Sequence, residues 1–554
     1  MTVNGGRPPV GEVSHGKSEG RWLQRLQKAT AIAIMVGGVG SVGLMLYAGR
    51  RNTSHLLRLI FIIWVSSPFI ALIWLSRVSK GWSIITRVTL YVAALVLTLS
   101  SLLIYLLVAV SPPKAQKAAP FIVVPPVSWV LMATVVPIVA LISARKTRLA
   151  RRIFKGLAAL MILGILGIGA LSAFLWTEQR TELTLPTPTG PFAVGRAIEV
   201  WTDDGNVDAL APVPGTKREL LVWFWYPAAG PSGAITGYVP AQVLAPTGRI
   251  GGSWVWSLLT RDLSKVHARS TDNAELSRQQ SSYPVVLMRG GASAPVLNYS
   301  ALAEDLASHG YVVVGIDAPY RTSVVVFPDG RVITRTPENN GERCEERKGK
   351  ERADCANRLL AAWTGDMAFV LDRLDQLNAS GASGKFVRRL DLSHVGVFGH
   401  SFGGAQAAQF CHDDPRCKAG IDIDGRPFGT VVREGTRQPF MFLMSAQIHS
   451  SDPESREVKA DIESIYDRLP ADGRLRIAIR GANHFTFSDD GALLKSAIVR
   501  RTLRIFGMLG IDGRRQLSVT AYCVRSFFDT YLKSERGSPL KISSALYPEI
   551  EFIE

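Results

Sequence analysis

The sequence predicts two structural units: an N-terminal α-helical membrane bundle of five transmembrane helices, then an α/β domain on a mostly parallel sheet. Three observations predict this. The excess positive charge is confined to one segment, that segment holds long uncharged apolar runs, and beyond it short apolar strands alternate with stretches of helical period. The chain has 554 residues, 47% hydrophobic and 20% charged, a length that asks for more than one domain and a composition that excludes wholesale disorder. Its formal charge is +17. Residues 1–177 carry 19 Lys and Arg against two acids, Glu12 and Glu19, while residues 178–554 carry 44 of each sign. No basic face is left for a nucleic acid, so that partner class is not expected.

The apolar runs are Ala29–Ala48, Leu59–Ser76, Val88–Val110, Phe121–Ser143 and Gly156–Trp176, all without Asp, Glu, Lys or Arg. A soluble helix of such length needs one polar face toward water, and none of these has one. The second run, at 18 residues, is near the lower limit for a span. The flanks on the N-terminal side of the membrane carry 14 Lys and Arg and those on the other side 5, which places the N-terminus in the cytoplasm. Five crossings then carry residues 178–554 to the extracytoplasmic side of the cell membrane. With no ionisable group inside a run, the block reads as an integral anchor or oligomerisation module rather than an ion path. The sequence leaves the oligomeric state open.

Beyond the block, Arg218–Tyr226 reads as a strand ended by Pro227, followed by shorter apolar strands at Val285–Met288, Val312–Ile316, Val395–Phe398, Ala419–Ile423, Phe440–Met444 and Leu475–Ile479. Helix-period segments lie between them, which implies parallel strands covered on both faces. Residues 228–282 show no clear period. All five cysteines fall in this part. Cys344 and Cys355 bracket a charged loop and Cys411 lies close to Cys417, so two disulfides are expected, with Cys523 left over as a buried apolar residue. No CxxC pair or matching His spacing suggests a metal, and no cofactor is expected.

The chemistry is carried by His394–Gly404, which reads strand, sharp turn, helix around Gly399-His400-Ser401-Phe402-Gly403. A nucleophile on so tight a turn needs flanking residues without a Cβ, which Gly399 and Gly403 supply, and the helix that follows turns its N-terminus toward developing negative charge. Serine needs a base to take its proton, and the base needs a carboxylate behind it. After Ser401 the histidines are His412, His449 and His484. His484 follows the last apolar strand on a loop and is the expected base, while His412 lies at the end of the elbow helix. Asp424, at the tip of the strand after the nucleophile, is the expected acid, with Asp422 inside that strand in reserve. For the oxyanion the expected backbone donors are Phe402 and Gly291, the latter in the bare turn Arg289-Gly290-Gly291.

The motifs Gly-His-Ser-Phe-Gly-Gly at 399–404, Ile-Asp424-Gly and Ile-Arg-Gly-Ala-Asn-His484, with Asn298–Asp317, resemble the platelet-activating factor acetylhydrolase (isoform II-like) family of α/β hydrolases. Gly-Pro-Phe-Ala-Val-Gly and Arg-Glu-Leu-Leu-Val-Trp-Phe-Trp-Tyr-Pro resemble its opening strands, so the likeness covers most of 185–533 and none of the membrane block. It implies an α/β hydrolase catalytic domain over 178–554, the same Ser401–Asp424–His484 set, and metal-free hydrolysis of lipid or other hydrophobic esters. The family's usual His-Gly at the early turn is Arg289-Gly290 here, which sets an arginine near the expected mouth, where it would bear on substrate choice. The expected function is therefore a membrane-anchored serine hydrolase cleaving carboxylic, in particular phospholipid acyl, esters. The alternatives are an acyltransferase using the same triad and a membrane scaffold with a vestigial hydrolase fold.

Overall fold

In the computed structural model the chain divides into two compact units, Met1–Phe174 and Leu175–Glu554. The described residues are 14–143 and 173–553, apart from 49–54, 80–81, 111–118, 175, 179, 231–235, 241–242, 244–261, 293, 346, 348, 380–383, 446–447, 449–452, 494–500, 502–509, 534–541 and 544; between 144 and 172 only isolated positions are described.

In the first unit the apolar runs form α1 (Ser14–Ala48), α2 (His55–Val78), α3 (Ile84–Val110) and α4 (Ala119–Ser143). Ile34, Phe69, Leu72, Tyr91 and Met132 pack between them. The outward faces are apolar too: Val39, Ile70 and Leu99 are 76%, 63% and 65% exposed. Outward faces this apolar hint at membrane association. Among the described residues three helices are long and apolar enough to cross a membrane: Trp22–Ala48, Arg58–Val78 and Ile84–Leu107. The fourth expected span forms α4, whose described apolar part is the shorter Val123–Thr134. The fifth, 156–176, falls mostly outside the described residues.

The second unit is built on a ten-stranded sheet. Its strands are β1 (Ala193–Val207), β2 (Lys217–Ala228), β3 (Thr271–Asp272), β4 (Tyr283–Arg289), β5 (Val312–Asp317), β6 (Leu390–His400), β7 (Cys417–Ile423), β8 (Phe440–Met444), β9 (Arg474–Ile479) and β10 (Ile550–Phe552). Across the sheet they run β10-β9-β8-β7-β6-β4-β5-β2-β1-β3. The central strands from β9 to β5 are parallel, whereas β10, β2 and β1 join antiparallel.

Alternation along the strands feeds both faces. Trp223, Trp225, Val286 and Met288 point into one apolar layer, with α5 (Ser300–Ser308) and α9 (Gly513–Phe528) packed against it. Val222, Phe224, Val285 and Leu287 point into the other, beneath α6 (Gly349–Asn378), α7 (Phe402–Asp413) and α8 (Pro453–Tyr466). Burial on both sides is why these strands read as continuous apolar runs. It also brings the carboxyl ends of β6, β7 and β9, with the residues that follow them, to one edge of the sheet, where ligands bind in open parallel sheets.

Both expected disulfides are present, Cys344–Cys355 and Cys411–Cys417, and Cys523 is free and buried on α9. A Cys344→Ser, Cys355→Ser variant should lose about 2–3 kcal/mol of stability through the freed loop. The check is a lower unfolding midpoint under oxidising conditions, with a smaller response to added thiol than the parent shows.

Candidate active site

β6 ends at His400 and Ser401 turns the chain directly into α7. Ser401 stands at φ 57°, ψ −123°, a conformation a serine keeps only when its surroundings impose it. A Cβ on Gly399 would sit 2.1 Å from the Gly403 carbonyl oxygen, and one on Gly403 would sit 2.5 Å from that of Gly290. Both positions therefore demand glycine if the turn is to close this tightly. The Ser401 N–H donates to the Ile423 carbonyl at 2.9 Å, tying the elbow to β7.

Just past β7, Asp424 also has a positive φ of 53°. Its N–H donates to the Leu443 carbonyl at 2.8 Å, and its Oδ1 accepts the Ser445 N–H at 2.7 Å. Oδ2 is 2.7 Å from His484 Nδ1, and Nε2 of that ring is 3.2 Å from Ser401 Oγ. Burial pushes the Asp424 carboxyl up, but the hydrogen bond and charge of His484, with the Ser445 N–H, outweigh it and hold the group below the usual carboxylate range. An ionised Asp424 accepts the Nδ1 proton, which leaves Nε2 as an acceptor facing the serine hydroxyl. The arrangement can thus draw a proton from Ser401 and stabilise the resulting imidazolium.

The reserve acid is elsewhere. Asp422 is buried beneath the elbow, its Oδ1 accepting the Gly425 N–H at 2.8 Å, and burial pushes its carboxyl well above the usual range. His412 turns away and donates from Nδ1 to the Gly435 carbonyl at 2.6 Å; His449 lies outside the described residues. Phe402 opens α7, where the first amides have no intrahelical acceptor. A Cβ on Gly291 would come within 3.3 Å of Ser401 Cβ, so that turn abuts the serine. The Gly291 N–H is already engaged, however, donating to Tyr299 Oη at 3.2 Å.

The structure corrects the expectation for Arg289. It does not stand at a mouth: its side chain is 1% exposed and paired with Asp366 at 3.1 Å, over the ring of Trp363 at 4.1 Å. A buried guanidinium persists only where a carboxylate meets it, and α6 supplies one. Among the described residues no group of His, Cys, Asp and Glu is placed to hold a metal ion.

Several neighbours had no signal in the sequence. Gln516 on α9 accepts the Asn483 N–H at 3.2 Å and donates to the Asn483 carbonyl at 3.0 Å, clamping the residue before His484. Tyr299 Oη, which accepts the Gly291 N–H, also lies 2.7 Å from His400 Nδ1. The two rings of His400 and His484 lie 4.5 Å apart.

Burial, reinforced by His484, pushes the His400 imidazole down to about 3, against an ordinary 6.5. Between those values the unfolded chain takes up a proton that the folded one refuses. The contribution of this group is therefore full above 6.5 and is lost as pH falls toward 3. His400→Phe should flatten the acid limb of unfolding free energy against pH, by up to about 1.4 kcal/mol per pH unit over that window. Denaturant titrations at stepped pH measure it, and an unaltered slope would contradict the assignment of a neutral His400.

The chain is similar to known proteins in sequence and in fold. The profile of the family "Platelet-activating factor acetylhydrolase, isoform II" matches residues 178–536. A probable 1-alkyl-2-acetylglycerophosphocholine esterase of Arthroderma benhamiae is 27% identical over 401 residues, 68% of this chain and 95% of that protein. A platelet-activating factor acetylhydrolase of Cavia porcellus is 29% identical over 332 residues, 55% of this chain and 69% of that protein. Among solved structures, a ferulic acid esterase from Streptomyces cinnamoneus superposes with a TM-score of 0.54 at 27% identity, covering 68% of this chain and 100% of that one. The relatives and the solved neighbour are all named as esterases or acetylhydrolases, and over the matched span this chain belongs to the platelet-activating factor acetylhydrolase isoform II family and is a carboxylic ester hydrolase.

Proposed function

We propose that the protein is a membrane-anchored serine hydrolase that cleaves acyl esters of phospholipids on the extracytoplasmic side of the membrane. The observation that carries this reading is the continuous hydrogen-bonded line from Ser401 Oγ through His484 to Asp424. His484 Nε2 takes the Ser401 proton as Oγ attacks the carbonyl carbon. The alkoxide-like oxygen that forms is met by the Phe402 N–H. The Gly291 N–H, held in the resting enzyme at 3.2 Å by a neutral hydroxyl, shifts to the charged oxygen, which is the stronger acceptor. The imidazolium returns its proton to the leaving alcohol, and water repeats the cycle on the acyl-enzyme. Phospholipid as substrate class is supported by the names of the relatives. Phe485, 72% exposed beside the base, offers an apolar surface to a hydrocarbon chain. The anchor reading is supported by three long apolar helices, and the orientation by the 14-to-5 distribution of Lys and Arg around the runs.

A second reading, an aryl-ester substrate, is favoured by the solved ferulic acid esterase. Assay of purified full-length protein against acetyl phospholipid and a feruloyl ester separates the two, with the higher kcat/KM expected on the phospholipid; the reverse order would transfer the assignment.

Ser401→Ala should abolish fluorophosphonate labelling, and each of Ser401→Ala, His484→Ala and Asp424→Ala should cost roughly 10⁴-fold or more in kcat. Doubles should cost little beyond singles, because the three act as one unit; multiplicative losses in steady-state kinetics would contradict this. The chain should remain in the membrane fraction after carbonate washing, and residues beyond 178 should be open to protease added outside intact cells.

A further inference from the structure

The two backbone donors assigned to the oxyanion, at Gly291 and Phe402, belong to segments distant in sequence, so their spacing is set by contacts between those segments. This inference rests on that assignment and extends it. The backbones touch directly, since a Cβ on Gly403 would meet the carbonyl oxygens of Gly290 and Arg289 at 2.5 and 2.6 Å. Behind them one turn of α6 reaches both. Asp366 accepts from Arg289 Nη1 at 3.1 Å. The Arg289 guanidinium lies over the Trp363 ring at 4.1 Å, and the same ring meets the Phe402 ring edge-on at 4.9 Å and 87°. The Trp363 carbonyl in turn accepts from Gln406 Nε2, on the elbow helix. Asp366 does not depend on Arg289 for its charge balance, because Arg321 gives it bonds of 2.9 and 2.7 Å.

We propose that Arg289 and Trp363 are positioning residues that fix the separation of the two oxyanion donors. Arg289, on the strand that ends in the oxyanion turn, is drawn onto α6 by charge and by the indole face; Trp363 presses from the same helix on the side chain of the other donor. The bracket is wholly buried: Arg289 is 2%, Trp363 3% and Phe402 9% exposed. Rigid backing of this kind matters because donor groups stabilise a developing charge only when already aimed at where it will appear.

The test uses the full-length protein in detergent. Arg289→Met keeps the volume and leaves Asp366 paired with Arg321, so the fold should survive, as circular dichroism and the unfolding midpoint will report. Its kcat should fall about 10- to 100-fold, part of what losing one oxyanion donor costs, with KM changed by less than about twofold. Affinity for a trifluoromethyl ketone, which forms a tetrahedral adduct, should fall in parallel with kcat. Arg289→Lys, which keeps the charge toward Asp366 and the indole, should recover at least about a third of the lost rate on a logarithmic scale. A folded Arg289→Met enzyme with kcat within about twofold of the parent, or with a loss carried by KM, would overturn the proposal. So would a lysine variant no better than methionine. Should Arg289→Met fail to fold, Trp363→Phe carries the test: a kcat loss of at least about threefold at constant KM supports the bracket, and an unchanged kcat refutes it. Fluorophosphonate labelling separates the layers. Parent enzyme that labels at Ser401 while Arg289→Met labels to the same extent and turns over normally refutes the bracket alone. Parent enzyme that fails to label refutes the serine mechanism beneath it.

Discussion

Everything in the site follows from holding Ser401 in a backbone conformation that it would not adopt by itself. The strain, of order 1–3 kcal/mol, is tolerated because the surroundings leave no relaxed alternative. β7 takes the Ser401 N–H, Gly399 and Gly403 let the two arms of the turn approach within contact distance, and Gly290 closes against them. Asp424 is held in the same way, with a positive φ and both its N–H and its Oδ1 bonded to the chain around the end of β8. Ser401 and Asp424 are thus fixed by backbone bonds at the ends of neighbouring parallel strands. Only the imidazole between them rides on a loop, and that loop is gripped by Gln516 from a helix on the far side of the sheet.

The two halves of the chain distribute their polarity differently. In the first, apolar side chains lie on the outward faces as well as between the helices, and the charge collects before the first run and in the short segments between runs. In the second, charges of each sign balance, and two buried arginines meet carboxylates: Arg321 bridges Asp366 and Asp208, and Arg289 shares Asp366. Such clusters are costly to assemble and more costly to break by halves, so they suit places where geometry must not drift.

Much of the architecture could be read from the chain. The strand Phe440–Met444 has the bounds expected of it, and the other central strands extend the expected runs by a few residues, since apolar composition marks the buried middle of a strand and not its polar ends. The edge strands were hidden. Ile550–Phe552 and Thr271–Asp272 are two or three residues long and exist by virtue of pairing, which leaves no periodic trace. At the site, Ser401, His484 and Asp424 were legible because each sits at the end of a readable strand. Tyr299, Gln516 and Ser445 were not, because they act through bonds to His400, Asn483 and Asp424, residues far away in sequence. Arg289 was misread for a related reason: a charge suggests solvent until the partner that buries it is seen, and Asp366 lies on a helix no local pattern connects to that turn.

The bridge between Cys411 and Cys417 joins the last turn of α7 to the first residue of β7. The helix that starts after Ser401 and the strand that leads into Asp424 are therefore welded at their far ends as well as hydrogen-bonded at their near ones. Fraying, the usual fate of a helix terminus, is closed to this one. Separating serine from carboxylate then requires helix and strand to part while still tethered at their far ends, a rarer and more cooperative opening than the loosening of a single turn.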